Sequence, residues 1–272
     1  METNSENSIV EVVDVWKSYD GFQAVRGLNL KVRKGEIFGL IGPNGAGKTT
    51  TLKVIVGLLK MDKGSINVDG IDIENDPYKY KKSLGYVPES VSLPEYLKLE
   101  EFLVYSGKIR EIPDDNIREV IQFYIEVFDL HDKRNSLILS LSRGMKQKAA
   151  IASSLIHDPD LLILDEPFIG LDPAAQRKMK EIFNKRTKAG KAVFVSTHML
   201  DTAERMCNRV AIIHQGKNVA AGNLKDLQAL SKSGEHATLE EVFLKLTEES
   251  EASTVEKVPE PRRRGLFGLR RK

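Results

Sequence analysis

The chain has 272 residues and a single cysteine, Cys207. One thiol cannot close an internal disulfide, which fits a reducing cytoplasm and removes cross-linking as a source of stability. Cys207 follows Met206 on a stretch of helical pattern, so the expectation is a half-buried small hydrophobe rather than a reactive thiol. Long apolar runs are missing as well. No stretch approaches the roughly 20 residues that a spanning helix needs, and the polar, acidic start at residues 1–6 does not read as a secretory signal. An excess of one charge is also lacking, because 41 Lys and Arg face 39 Asp and Glu for a net +2. That balance hides an asymmetry. Residues 253–272 carry seven basic and two acidic side chains, which leaves the rest of the chain slightly acidic. The body therefore makes no general case for nucleic-acid binding. Internal repeats are absent too, and 41% hydrophobic with 29% charged residues is ordinary globular composition. The length suits one large domain with an insert.

What is present is concentrated in a few short segments. The apolar run 37–41 leads directly into Gly42, Pro43, Asn44, Gly45, Ala46, Gly47, Lys48, Thr49 and Thr50. This is the pattern G-x-x-x-x-G-K-[ST] between a predicted buried strand and a predicted helix, a phosphate-binding loop. Its glycines let successive backbone N–H groups converge on a β-phosphate. Lys48 is placed to reach the β- and γ-phosphates, and the Thr49 hydroxyl to complete a Mg²⁺ ligand set. The helix that follows, ended by Gly57, aims its positive end at the same anion. A nucleoside triphosphate is the expected ligand.

The remaining pattern predicts the frame. Residues 9–16, 28–32 and 36–41 read as short β-branched strands broken by glycine, and 64–70 as a hairpin strand turning at Asp69-Gly70. A strand is expected at 84–88. From about 94 to 156 the pattern becomes helical, with Ile117, Val120, Ile121, Tyr124, Ile125 and Phe128 at helical spacing. Residues 160–165 then return as a fully apolar strand of the parallel-sheet kind. Asp172-Pro173 starts a helix that Gly190 ends, strands follow at 192–196 and 210–214 around a helix at 200–206, and helices close the domain at 224–230 and 239–246. The expected fold is α/β: a P-loop NTPase core with an N-terminal antiparallel β portion and a helical subdomain inserted at about 94–156. One domain over 1–247 and a disordered basic tail over 248–272 complete the expected organisation.

Two more segments carry chemistry. Asp165 and Glu166 stand at the end of the apolar strand, where α/β proteins place ligands. Asp165 fits as the Mg²⁺-side carboxylate and Glu166 as the group aligning the attacking water. An acidic turn capping a strand would look the same; the phosphate loop is what decides for chemistry. Leu141, Ser142, Arg143, Gly144, Met145, Lys146 and Gln147 open a helical stretch just before that strand. With this motif in place the chain resembles the nucleotide-binding subunits of ABC transporters over about residues 9–246.

That resemblance implies roles for further residues. Ser142 and Gly144 match the positions that contact ATP held by the other subunit, while Arg143 and Met145 depart from the family's usual Leu-Ser-Gly-Gly-Gln. Arg143 either adds charge near the phosphates or points into solvent. Tyr19 resembles the aromatic residue that stacks on adenine. Glu89 stands where most members carry a Gln that senses Mg²⁺ and the membrane partner; a carboxylate can also ligate the metal, at one more unit of negative charge. Asp172, in Gly170-Leu171-Asp172, resembles the loop that signals between two composite sites and is also a good helix N-cap. His198 resembles the switch histidine that bonds the γ-phosphate and holds the water-activating Glu. The implied activity is an ATPase with ATP and Mg²⁺ as cofactors. It would work as a homodimer, or a heterodimer with a second ABC ATPase subunit, at the cytoplasmic face of the cell membrane beside a separate transmembrane permease. The variants Leu-Ser-Arg-Gly-Met-Lys-Gln and Tyr-Val-Pro-Glu, with the end Thr238-Leu-Glu-Glu-Val-Phe243, are similar to the export-type branch. The competing reading is a soluble ABC ATPase acting on ribosomes or DNA. The run Arg262 to Lys272 offers basic clusters around Leu266, Phe267 and Leu269, which are either a solvated tail or a contact with anionic lipid.

Overall fold

The computed structural model describes residues 7–255. The expectations for the basic run 262–272 lie outside these residues.

Two sheets and a set of helices build the domain. Strands β1 (Ser8–Tyr19), β2 (Phe22–Arg33), β4 (Lys63–Val68) and β5 (Ile71–Asp72) make an antiparallel sheet in the order β2-β1-β4-β5. Strands β3 (Ile37–Ile41), β6 (Leu84–Val87), β7 (Leu161–Asp165), β8 (Ala192–Thr197), β9 (Arg209–His214) and β10 (Lys217–Gly222) make the second sheet, β10-β9-β3-β8-β7-β6. All its pairs are parallel except β9–β10. The expected α/β core with its antiparallel portion is therefore the observed one.

The hairpin turns follow from local chemistry. At Asp20-Gly21 and Asp69-Gly70 both residues have positive φ, 44° and 85°, then 49° and 78°. That is what a two-residue turn matched to strand twist demands, and Asp-Gly satisfies it at little cost.

β3, β7 and β8 are buried at every position, and their side chains sort by parity. Phe38, Leu161, Ile163 and Phe194 enter one apolar cluster together with Leu52 and Ile55 of α1 (Lys48–Ile55). Leu162, Leu164, Val193 and Val195 enter another. Period-2 alternation thus serves two cores from one apolar run. Phe38 and Phe194 meet edge to face with ring centroids 5.3 Å apart.

The second of these clusters holds the helical insert. After α2 (Pro77–Lys82), helices α3 (Leu99–Ile109), α4 (Asp114–Val127) and α5 (Arg143–Leu155) bury Leu103, Ile117, Ile121, Ile125 and Ile151 against it. α4 starts after Pro113 with Asp114 and Asp115 in its first turn, where carboxylates suit the helix dipole. α6 (Pro173–Lys188) covers the same face through Met179 and Phe183. A third cluster joins β9 and β10 to α7 (Leu200–Met206), α8 (Leu224–Leu230) and α9 (Leu239–Val255).

Several elements differ from expectation: β2 begins at Phe22 rather than residue 28, α9 runs to Val255, nine residues past the Leu246 end expected for that helix, and α2 and β10 have no expected counterpart. No helix among the described residues is long and apolar enough to cross a membrane.

Candidate active site

The phosphate loop spans from the end of β3 to the start of α1. Gly47 caps α1 at φ 103°, a left-handed conformation that a side chain resists, and a Cβ there would also strike the Ala24 carbonyl. Gly42 is barred from a side chain for a different reason: a Cβ would run into the Ile213 carbonyl of β9. Lys48 is buried, and its Nζ donates to the carbonyls of Gly42 at 2.8 Å and Pro43 at 3.3 Å. The loop is thus shaped by its own lysine.

β7 carries the carboxylates to the same place. Asp165 is fully buried; its Oδ1 accepts a hydrogen bond from the Ser196 hydroxyl, and its Oδ2 has no protein partner. Glu166 follows at φ 48°, an unusual backbone conformation for a residue of its size. Its N–H donates to the backbone carbonyl of Ser196 at 3.1 Å and to the Ser196 hydroxyl at 3.2 Å, so the neighbouring strand holds the turn. Glu166 Oε1 lies 3.3 Å from Lys48 Nζ and 3.0 Å from His198 Nδ1, and Oε2 accepts from the His198 backbone N–H at 3.3 Å. Lys48, Glu166 and His198, far apart in sequence, are one cluster.

A cleft of ≈ 370 Å³ opens over this cluster, lined by Tyr19, Phe22, Ala24, Pro43, Asn44, Gly45, Gly47, Lys48, Thr49, Thr50, Glu89 and Glu166. It brings Tyr19 and Glu89 to the phosphate loop. Phe22 and Ala24 were not anticipated. Phe22 is paired with Tyr19 across the Asp20-Gly21 turn and is 60% exposed. The signal was the Asp-Gly dipeptide, which fixes the register that sets Tyr19 and Phe22 opposite each other on the two strands.

The donor set suits a hard divalent cation. Thr49 and Glu89 line the cleft, and Asp165 Oδ2 is a buried carboxylate oxygen in need of a partner. Among the described residues no cluster of three or more His, Cys, Asp or Glu could hold a metal by itself. Mg²⁺ commonly uses one or two carboxylates plus phosphate oxygens, so these donors fit it.

Other predicted residues sit elsewhere. Ser142 is the N-cap of α5, its hydroxyl accepting from the Met145 N–H at 3.3 Å. Gly144 lies against Gly170: a Cβ on it would be 3.1 Å from the Gly170 carbonyl. Asp172 is the N-cap of α6, accepting from the Ala175 N–H at 2.8 Å, and that bond holds its carboxyl below the usual range. Ser142, Gly144 and Asp172 do not line the cleft. Arg143 packs its stem toward Gly170, with Cδ 3.8 Å from where a Cβ would stand.

Comparison with known proteins agrees with this geometry. The profile of the family described as ABC transporter matches residues 25–169. YhcH, an ABC transporter ATP-binding protein of Bacillus subtilis, is 36% identical over 250 residues, which are 91% of this chain and 78% of the relative. The probable multidrug ABC transporter ATP-binding protein YbhF of Escherichia coli is also 36% identical, over 90% of this chain, but the chain spans only 43% of that relative's length. The linearmycin resistance ATP-binding protein LnrL of Bacillus subtilis is 34% identical over 80% of this chain and 70% of its own length. Among solved structures, an ATP binding subunit of an ABC transporter superposes with TM-score 0.84 at 34% identity, covering 88% of this chain and 99% of that one. The cbiO1 protein of Clostridium perfringens, part of the complex cbiONQ, gives 0.73 at 26% identity, covering 93% and 100%. A phosphate loop and Glu166 in one cleft, with Asp165 beside them and His198 bonded to Glu166, on a fold shared over nearly the whole chain, leave one assignment: the chain belongs to the ABC transporter family and is one of its ATP-binding, ATP-hydrolysing subunits.

Proposed function

We propose that the chain is the motor of an export-type transporter whose membrane-spanning permease is a separate chain, and that it works as a head-to-tail dimer. The observation that carries the dimer is the separation just described. Ser142 and Gly144 stand at the N-terminus of α5, outside the cleft that holds Lys48 and Glu166. A helix N-terminus capped by a serine, whose O–H can still donate, is a ready anion contact. Two copies related by a twofold axis would each close the other's cleft with this motif.

Within each cleft the residues divide the work. Tyr19 and Phe22 offer rings to the base, Lys48 and the loop amides hold the phosphates, and Thr49, Asp165 and Glu89 would hold Mg²⁺. Bound there, Mg²⁺ would neutralise charge on the β- and γ-phosphates. Glu166 takes the proton side of the attacking water, and His198 fixes the Glu166 carboxylate by its ring and its backbone N–H. Asp172, at the start of α6 next to Gly170, links one cleft to the other. Closure on ATP and reopening after hydrolysis would pull on permease segments docked near Glu89 and the helical insert, at the cytoplasmic membrane face. The export direction rests on relatives named for multidrug, linearmycin-resistance and Nod factor export roles.

The test is affinity purification of a tagged Glu166→Gln protein from detergent-solubilised membranes with ATP. A polytopic membrane protein is the expected companion. Ribosomal or DNA-bound companions, or a soluble homodimer alone, would overturn the transporter reading.

A further inference from the structure

Three of the buried polar atoms without protein partners stand on elements that surround the phosphate loop: Thr51 Oγ1, Tyr86 Oη and Asp165 Oδ2. They come from three elements packed together. Tyr86, on β6, is registered with Ile163 of β7, and its ring packs on the cluster that contains Ile163, Leu52 and Ile55. Asp165 is two residues beyond Ile163 and so points to the same face of the sheet. Thr51 follows Lys48 on the buried face of α1, at helical spacing, and is 2% exposed. Buried polar groups are paired in native proteins, and a buried water makes about three hydrogen bonds. Three orphaned atoms directed at one face of the sheet match in number the partners of a single buried water.

We propose that Tyr86 is a positioning residue for Asp165: its hydroxyl, through a buried water shared with Thr51, holds the free Asp165 oxygen in the orientation that receives the divalent cation. The proposal rests on the assignment of Asp165 to the metal given above and goes beyond it by naming the group that aims the carboxylate. Electrostatics agree. Burial pushes the Tyr86 phenol up, and the charges of Asp165 and then Glu89 push it further, so the phenol stays a donor next to carboxylates. A phenylalanine would pack equally well on the apolar cluster, and only the hydroxyl would be lost. Groups that orient a metal ligand typically change metal affinity or activity by 10–100-fold when removed.

The experiment titrates Mg²⁺ into the full chain with a fluorescent, non-hydrolysable ATP analogue and repeats the binding in EDTA. Tyr86→Phe is expected to raise the half-saturating Mg²⁺ concentration by about tenfold and to leave binding in EDTA unchanged. Thr51→Val should shift the Mg²⁺ curve the same way, and the double variant should shift it no further than the larger single one, because both act through one water. Should Tyr86→Phe fail to fold, Thr51→Val alone carries the test. An unchanged Mg²⁺ curve with a raised melting temperature would overturn the proposal, since that is the signature of removing a hydroxyl that was simply unpaired. Equal weakening with and without Mg²⁺ would overturn it too, by placing Tyr86 in the general shape of the cleft. Asp165→Asn is the control. If that variant leaves the Mg²⁺ curve in place, the metal assignment itself fails and takes the proposal with it.

Discussion

Replacing Glu166 by Gln keeps the shape of the side chain and removes one charge from the centre of the cluster. In the resting protein that charge faces Lys48 Nζ at 3.3 Å, with both side chains under a tenth exposed. At an effective dielectric of 20 the gross attraction is about 5 kcal/mol. Desolvation offsets much of it, and the measurable loss on removing one member of such a pair is about 3 kcal/mol, the cost of leaving Lys48 uncompensated. The Gly42 and Pro43 carbonyls still accept from Lys48, which lowers that loss. In the reaction the amide cannot take a proton, and loss of a positioned base slows turnover by about 10²–10⁴-fold, equal to about 3–5 kcal/mol of barrier. The variant should therefore melt earlier than the parent without nucleotide and gain more from ATP, because triphosphate supplies the negative charge that Lys48 lost. Phosphate release, thermal melting with and without ATP and Mg²⁺, and size-exclusion chromatography read the three consequences. ATP should shift the variant to a dimer that the parent forms only transiently. Turnover within tenfold of the parent would refute the role given to Glu166, and a variant that stays monomeric with ATP would refute the head-to-tail dimer.

Lys48→Ala removes the buried ammonium from the phosphate loop; calorimetry should show ATP binding weakened by about 1.5–3 kcal/mol, the range for a hydrogen bond to a charged group. Gly39→Ala places a Cβ 2.9 Å from both Cys207 Sγ and Val210 Cγ1, and urea unfolding should show a loss of about 1–3 kcal/mol, with Cys207→Ala in the same chain recovering part of it. Burial pushes the Cys207 thiol from its ordinary 9.0 up to about 12, so above pH 9 the unfolded chain releases a proton that the folded one keeps. The stability from this group is complete below pH 9 and falls by up to about 1.4 kcal/mol per pH unit above it. Urea unfolding at pH 8 and pH 10 should show a steeper alkaline loss in the parent than in Cys207→Ala, and equal slopes would refute the burial argument.

The strands that build the nucleotide side were legible because their sequences leave little choice. The runs 37–41, 161–164 and 192–195 are free of polar side chains and bounded by glycine, charge or serine, which suits a strand covered on both faces. β10 was missed because its hairpin turns on Gln215-Gly216; the backbone has the same positive φ pair, 47° and 78°, but Gln is a weaker turn signal than Asp or Asn. α2 was missed although Asp76 and Pro77 spell a helix start, because its six residues are too short and too basic to show periodicity. In the cleft, motif residues were readable one by one, whereas Phe22 became visible only through hairpin register and Ser196 only through the hydrogen bonds it makes to Asp165 and Glu166. Both depend on pairing between distant segments, which local sequence does not encode.

The parity sorting in β3, β7 and β8 makes the central sheet a shared wall between two interiors. In β7 the odd positions Leu161 and Ile163 press on the helix that begins at Lys48 while the even positions Leu162 and Leu164 press on the helices of the insert; β3 and β8 have the opposite parity, with Phe38 and Phe194 on the Lys48 side. A close-packed interior transmits displacement rather than absorbing it. A push arriving from the insert therefore reaches the nucleotide floor through the thickness of a single strand. It follows that a one-methylene trim at residue 162 or 164 and one at residue 161 or 163 are different experiments on the same five residues: the first loosens the grip of the insert, the second the seat of the phosphate loop.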